Sequence, residues 1–121
     1  MTHLVLHLED DYCVRASFKL AFARFSNYKL KQFACPSEVP EELYVKASII
    51  VSDFDMCGET ALDMLKYLHE HKLETPVIIH SGNDQNHNYI KNLGLDKNVI
   101  FQADKLTSVK DIIMVIKKTL K

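Results

Sequence analysis

The chain has 121 residues, of which 47% are hydrophobic and 26% are charged, and its formal net charge at pH 7 is -1. This length suits one globular domain, which we expect to span residues 1–121. The near-neutral charge argues against a nucleic-acid surface and a polybasic membrane patch, so we expect a protein partner. No apolar run approaches the roughly 20 residues of a membrane helix, and the basic-then-apolar order of a signal peptide is missing. The sequence therefore predicts a cytoplasmic protein, and the lack of C-x-x-C spacing among its cysteines is typical of reduced thiols.

Two hydrophobic patterns alternate along the chain. Short apolar runs rich in β-branched residues predict buried strands, and apolar residues three or four apart predict helices. One run alternates apolar and polar residues, which indicates an edge strand. The predicted elements are strand 4–8, a helix from Val14 to about 26–27, edge strand 28–34, short helix Glu41–Lys46, strand 49–53, helix 61–72, strand Val77–His80, helix 84–93, strand Val99–Ala103 and a last helix through Ile112, Ile113, Ile116 and Leu120.

This order of elements predicts the fold class. Five strands that alternate with five helices form a parallel sheet covered on both faces, because strand-helix-strand crossovers are right-handed and place helices against the sheet. We therefore expect an α/β, doubly wound, five-stranded parallel sheet.

Polar side chains follow most of these strands. Glu9 and Asp10 follow the first, Asp53 the third, Ser81 the fourth and Lys105 the fifth. The carboxyl ends of parallel strands meet at one edge, where an open α/β sheet carries its chemistry. Clustered carboxylates need a cation to stay ionised, and hard oxygen ligands with room for water describe a Mg²⁺ site. Such a site, with a lysine and a hydroxyl to hold phosphoryl oxygens, would allow Asp53 to act as a nucleophile and form an acyl phosphate.

Four motifs carry a resemblance to a known family. They are Leu-Glu-Asp-Asp at 8–11, Ser-Asp-Phe-Asp-Met at 52–56, Ile-His-Ser-Gly at 79–82 and Asp-Lys at 104–105. In this order and spacing, the chain resembles the receiver domain of bacterial two-component response regulators over essentially its whole length. The resemblance implies the flavodoxin-like fold with strand order 2-1-3-4-5.

The resemblance also implies a function. Asp53 would accept a phosphoryl group from the phosphohistidine of a histidine kinase or a phosphotransfer protein, in a Mg²⁺-dependent reaction assisted by Lys105 and Ser81. Gly82 would be the small residue that leaves a path to the phosphoryl group. The protein would be a phosphoacceptor with slow self-hydrolysis rather than an enzyme with a separate substrate.

The metal ligands follow from the same resemblance. Glu9 and Asp10 correspond to the acidic pair, Asp53 supplies a carboxylate oxygen, and Asp55 gives its backbone carbonyl. Output would be phosphorylation-dependent binding of a downstream protein, with no nucleic acid and no membrane involved. The chain would act as a monomer or as a phosphorylation-dependent dimer, and we expect a single-domain regulator without an effector domain.

Several residues depart from the family pattern. Cys57 and Leu106 stand where the family commonly has proline, and Gln102 stands where it has the aromatic switch residue. Phe101 lies one position before Gln102. Either a bulge in the last strand turns Phe101 outward, or the usual switch is absent.

Two other functions stay open. Asp53-Phe54-Asp55 is also the Asp-x-Asp of haloacid dehalogenase-type phosphohydrolases, in which the second aspartate acts as an acid/base. In that family the motif lies on the first strand and an acidic pair follows the lysine, whereas here the pair is at 9–10. The second alternative is a receiver-like module that is not phosphorylated and only binds proteins.

Overall fold

The computed structural model describes residues 2–83 and 85–121, and within these ranges it confirms the predicted fold. The parallel sheet of the described residues has five strands in the order β2-β1-β3-β4-β5. The strands are β1 (His3–Leu8), β2 (Tyr28–Phe33), β3 (Ile49–Ser52), β4 (Val77–His80) and β5 (Val99–Ala103), and the helices are α1 (Tyr12–Phe22), α2 (Glu41–Lys46), α3 (Ala61–Glu70), α4 (Gln85–Asn92) and α5 (Val109–Thr119).

The sheet separates two hydrophobic cores. Successive side chains of a strand point to opposite faces, so Ile50 packs in one core whereas Ile49 and Val51 pack in the other. The first core includes residues of α2, α3 and α4, and the second includes residues of α1 and α5. Burial on both faces explains why the central strands are almost wholly apolar.

Helix α1 begins two residues before its predicted start. Asp11 is its N-cap, and the carboxylate accepts hydrogen bonds from the backbone N–H groups of Cys13 at 2.8 Å and Val14 at 3.3 Å. A side chain that satisfies these otherwise unpaired donors fixes the helix start. Asp11 therefore belongs to the helix cap, although it adjoins the predicted acidic pair.

The C-terminal ends of α1 and α3 come earlier than predicted. Helix α1 ends at Phe22 rather than near 26–27, because the Phe25 N–H turns back to the Phe22 carbonyl at 3.0 Å. Helix α3 ends at Glu70, and Lys72 has a left-handed φ of 55°. A left-handed residue just after the last turn stops a helix.

A two-residue hairpin that the sequence did not predict follows β3. Asp55–Met56 pairs with Glu59–Thr60, and the connecting residues Cys57 and Gly58 have φ values of 50° and 79°. Two positive φ values are the signature of the type I′ turn. Proline cannot adopt such a φ, so this turn is incompatible with proline at position 57.

The remaining elements agree closely with the prediction. Helix α2 over Glu41–Lys46 is confirmed, and an unpredicted 3₁₀ turn, Pro36–Glu38, precedes it. Helix α4 covers Gln85–Asn92, and Asp84, its predicted first residue, lies outside the described residues. The strand bounds agree within one residue. Among the residues described, no helix combines the length and apolarity needed to cross a membrane.

Strand β5 contains an irregularity next to β4. Val77 pairs with Val99 whereas Ile78 pairs with Phe101, so one extra residue, Ile100, interrupts the register. Such a bulge re-aims neighbouring side chains. Ile100 and Phe101 are both exposed, and Phe101 is 38% accessible. The structure thus has the bulge that the sequence left as one alternative.

Candidate functional site

An acidic cluster lies where β1 and β3 end. Glu9, Asp10 and Asp53 each offer one carboxylate oxygen, and these oxygens lie within 4.8 Å of one another. The parallel register places the ends together, because Leu8 pairs with Ser52 and the Asp53 N–H donates to the Leu8 carbonyl at 2.9 Å. The strand-end convergence expected from the sequence is therefore present.

Lys105 brings a positive charge to this cluster from the end of β5. Its Nζ lies 2.5 Å from Glu9 Oε1 and 3.4 Å from Asp53 Oδ2. Asp104 shapes the loop, since its Oδ1 accepts from the N–H groups of Leu106 at 2.8 Å and Thr107 at 3.0 Å. This side-chain turn orients the loop although leucine replaces the family's usual proline.

Glu9 is the most buried carboxylate of the cluster, with only 1% of its surface accessible. Arg15 Nη1 donates to its backbone carbonyl at 2.7 Å, and the Asp11 N–H donates to Oε2 at 3.3 Å. The pKa of Glu9 is raised to about 7, because burial and the nearby charge of Asp53 raise it by more than the hydrogen bond from Lys105 lowers it. The single positive charge of Lys105 therefore does not neutralise the negative charge of the three carboxylates.

Backbone donors orient the other two carboxylates. The Phe54 N–H donates to Asp53 Oδ1 at 2.7 Å, while the Cys57 N–H reaches across from the hairpin to Asp10 Oδ2 at 3.1 Å. Asp53 Oδ2 is the oxygen that faces Lys105. One oxygen of Asp53 is therefore held by the backbone, and the other lies beside the ammonium.

The donor set fits a hard divalent cation. Glu9, Asp10 and Asp53 supply only carboxylate oxygens, which Mg²⁺ prefers, and Asp10 is exposed, which leaves room for water. Asp55 lies in the hairpin with an exposed side chain, and the role of its backbone carbonyl stays a prediction.

Ser81 and Gly82 follow directly after β4. A side chain added at Gly82 would lie 3.7 Å from Cγ of Lys105, so this segment adjoins the lysine. Ser81 is buried, its N–H donates to the Ala103 carbonyl at 2.9 Å, and its Oγ accepts from Asn86 Nδ2 at 2.8 Å. The phosphoryl-holding role of Ser81 stays a prediction.

The position of the family's aromatic switch has a polar contact here. Gln102 Nε2 donates to His87 Nδ1 at 3.1 Å and so links β5 to α4. On the same helix, Tyr89 packs edge-on against Phe54 with ring centroids 6.4 Å apart. Helix α4 therefore touches both the residue after Asp53 and the strand that leads to Lys105.

Sequence reasoning missed two groups that shape the site. The Cys57 N–H that binds Asp10 is a backbone group, and only the Gly58 that follows it hints at a tight hairpin. Asn86 lies on a helix whose sequence is mostly polar, so its burial left no hydrophobic signal. A buried asparagine on such a helix can be found only once the helix is placed against the sheet.

Solved structures with a similar architecture include receiver domains of response regulators. A response regulator receiver domain protein from Methanospirillum hungatei superposes with a TM-score of 0.82 at 17% identity, over 99% of this chain and 94% of that one. The chemotaxis response regulator CheY4 of Vibrio cholerae gives 0.76 at 14% identity, over 99% and 100%. The receiver domain of the hybrid histidine kinase CckA gives 0.74 at 23% identity, over 98% and 99%.

The chain has the fold of response-regulator receiver domains. No protein-family model matches its sequence, and no curated protein matches it either. In this receiver fold, Asp53 lies at the end of the central strand, next to the acidic pair and 3.4 Å from Lys105 Nζ. The chain therefore shares the architecture of these receiver domains although its sequence identity to them is low.

Proposed function

We propose that the protein is a phosphoacceptor of two-component signalling, in which Asp53 takes a phosphoryl group from a histidine kinase or a phosphotransfer protein. The observation that carries the proposal is the convergence of Glu9, Asp10 and Asp53 at the carboxyl edge of a receiver fold, with the Lys105 ammonium beside Glu9 and Asp53. Phosphoryl transfer needs little beyond positioning and charge neutralisation, which this arrangement supplies.

The transfer is a displacement at phosphorus. Oδ2 of Asp53 attacks the phosphorus atom of the donor's phosphohistidine, a P–O bond forms, and the P–N bond breaks. The imidazole leaves with the electron pair and takes up a proton. Lys105, which lies 3.4 Å from Asp53 Oδ2, neutralises charge on the phosphoryl oxygens, and the Ser81 hydroxyl donates to another of them.

The metal would be held by carboxylate oxygens of Glu9, Asp10 and Asp53 and by the backbone carbonyl of Asp55. A bound Mg²⁺ supplies positive charge that offsets the repulsion between the carboxylates and the incoming phosphoryl oxygens. Glu9 gains most from it, because burial raises the pKa of its carboxyl.

The output would be phosphorylation-dependent binding of a downstream protein by a cytoplasmic regulator, present as a monomer or as a dimer that forms on phosphorylation. Helix α4 contacts both β5 and Phe54. These contacts support a route by which phosphorylation of Asp53 would alter the surface formed by α4 and β5. Slow hydrolysis of the acyl phosphate would reset the protein, and no separate substrate is turned over.

The test is the intact mass of the protein after incubation with acetyl phosphate and Mg²⁺. We expect a gain of one phosphoryl group that is lost in Asp53→Asn and without metal. The matched control is Asp63→Asn, an exposed aspartate on α3, which should gain the group like the wild type. Rapid release of free phosphate without an adduct would instead favour a phosphohydrolase. If neither signal were found, the protein would be a binding module.

A further inference from the structure

The hydroxyl of Ser81 sits in a specific hydrogen-bonded setting. Asn86, on the first turn of α4, is only 7% exposed, and its Nδ2 donates to Ser81 Oγ at 2.8 Å. The backbone N–H of Asn83 approaches the same oxygen at 3.4 Å. A buried amide that donates a hydrogen bond to a hydroxyl oxygen determines whether that hydroxyl acts as a donor or an acceptor toward other groups.

The role follows from the donors and acceptors of a hydroxyl group. A serine has one O–H donor and two lone pairs. Because N–H groups of Asn86 and Asn83 approach the oxygen of Ser81, its own proton must point away from both. The hydroxyl is thereby set as a donor, which is the polarity that an anionic phosphoryl oxygen requires.

We propose that Asn86 is a positioning residue that holds the Ser81 hydroxyl proton toward the phosphoryl group on Asp53. This inference rests on the function proposed above, and it assigns to α4 a part in phosphoryl transfer. Asn86 does not touch the reacting atoms and acts through Ser81.

The same face of α4 also contacts the residue that follows Asp53. Tyr89, three residues after Asn86, packs against Phe54, which follows Asp53 directly. Ile90, four residues after Asn86, is fully buried and anchors this face in the core. Helix α4 is thus held at Ser81 through Asn86, at Phe54 through Tyr89 and in the core through Ile90, which fixes the Asn86 amide beside the Ser81 hydroxyl.

The test is a double-mutant cycle on the rate at which the protein gains a phosphoryl group from acetyl phosphate with Mg²⁺. We expect Asn86→Ala to slow the wild type about tenfold, because the Ser81 hydroxyl is no longer held in the orientation that donates a hydrogen bond to the charged phosphoryl group. In the Ser81→Ala background, the same change should alter the rate less than about twofold, because the hydroxyl is already missing. Asn92→Ala, an exposed asparagine on the same helix, is the matched control and should leave the rate unchanged.

A second variant separates polarity from packing. Asn86→Asp has the same shape but can only accept, so the Ser81 proton would turn toward the carboxylate and away from the phosphoryl group. We expect it to be at least as slow as Ser81→Ala, with thermal unfolding of each variant checked in parallel. In the wild type, the side-chain amide resonances of Asn86 should shift on phosphorylation, and in Ser81→Ala they should not.

The outcomes distinguish the two proposals. Equal slowing by Asn86→Ala in both backgrounds, or normal transfer in Asn86→Asp, would overturn the positioning role while Asp53 remained a phosphoacceptor. Absence of any phosphoryl gain in the wild type would overturn the proposed function and this inference with it.

Discussion

Lys105 lies closer to Glu9 than to Asp53, with its Nζ 2.5 Å from Glu9 Oε1 and 3.4 Å from Asp53 Oδ2. Before any phosphoryl group arrives, the ammonium therefore pairs mainly with the buried carboxylate. The longer distance leaves Asp53 Oδ2 less tightly paired. A cation that took over the charge of Glu9 would allow Lys105 to move toward the phosphoryl oxygens.

The charge of Lys105 competes with metal binding. We expect Lys105→Gln to bind Mg²⁺ about tenfold more tightly, because it removes a positive charge a few ångströms from the cation. The same variant should gain a phosphoryl group at least about tenfold more slowly, since the neutralising ammonium is lost. Titration calorimetry with Mg²⁺ and the rate of phosphorylation measure the two effects. The control is Lys110→Gln, which removes the charge of an exposed lysine on α5. If this variant also bound Mg²⁺ more tightly, the effect of Lys105→Gln could not be assigned to its position beside the site.

Protons compete with the metal at Glu9. Burial raises the pKa of this carboxyl to about 7, so below that pH its proton must leave before it can bind a cation. We expect the Mg²⁺ affinity to rise as pH increases from about 6 to 8, and binding to release a proton. Glu9→Gln should bind more weakly and lose most of this pH dependence. An unchanged slope in Glu9→Gln would show that another group accounts for it.

The turn at Cys57 explains why proline is absent there. Cys57 has a φ of 50°, and its N–H donates to Asp10 Oδ2 at 3.1 Å. We expect Cys57→Pro to lower the free energy of unfolding by about 3 kcal/mol, because proline fits neither the φ nor the hydrogen bond. Cys57→Asn should remain within about 0.5 kcal/mol of the wild type, since asparagine tolerates a left-handed φ before glycine. Urea unfolding measures both, and equal stability of the two variants would contradict the turn assignment.

His7 gives the protein a pH-dependent stability. Its ring is buried, stacks on Phe18 with centroids 3.9 Å apart and accepts from Gln32 Nε2 at 3.0 Å when Nδ1 is unprotonated. Burial is the largest cause that lowers its pKa from 6.5 to about 3, and the charges of His80, Lys105 and Arg15 contribute to the same shift.

The sign of the effect follows from the lowered pKa. The unfolded chain takes up a proton at His7 below pH 6.5 whereas the folded chain resists it until about pH 3. This contribution is present above pH 6.5 and is lost as pH falls, by about 1.4 kcal/mol per pH unit. Glu9 acts in the opposite direction, so the comparison with His7→Gln isolates the histidine. We expect His7→Gln to lose stability less steeply between pH 6.5 and 4, and identical slopes would contradict this assignment.

The sequence predicted the centre of the sheet well because the central strands are buried on both faces. Runs such as Ile49–Ser52 and Val77–His80 are short and mostly β-branched, so they are typical of strands rather than helices. Their predicted bounds agree with the structure within one residue. The ends of α1 and α3 were predicted less well. They depend on backbone turns at Phe25 and Lys72, which the periodicity of apolar side chains does not encode.

The site was predictable as far as strand ends determine it. Glu9, Asp53 and Lys105 come together because each follows a strand of one parallel sheet. Asn86 was not predictable, since its contact with Ser81 depends on how α4 packs. The bulge at Ile100 was left open for a similar reason, because two exposed hydrophobic residues in a row fit either register.

The most direct test of the central claim is chemical identification of the phosphorylated residue. Protein treated with acetyl phosphate and Mg²⁺ is reduced with borohydride, which converts an aspartyl phosphate to homoserine, and is then digested and sequenced by mass spectrometry. The proposal predicts homoserine at position 53 and aspartate still at 10 and 55. Homoserine at another position, or intact aspartate at 53 in protein that carries a phosphoryl group, would contradict it.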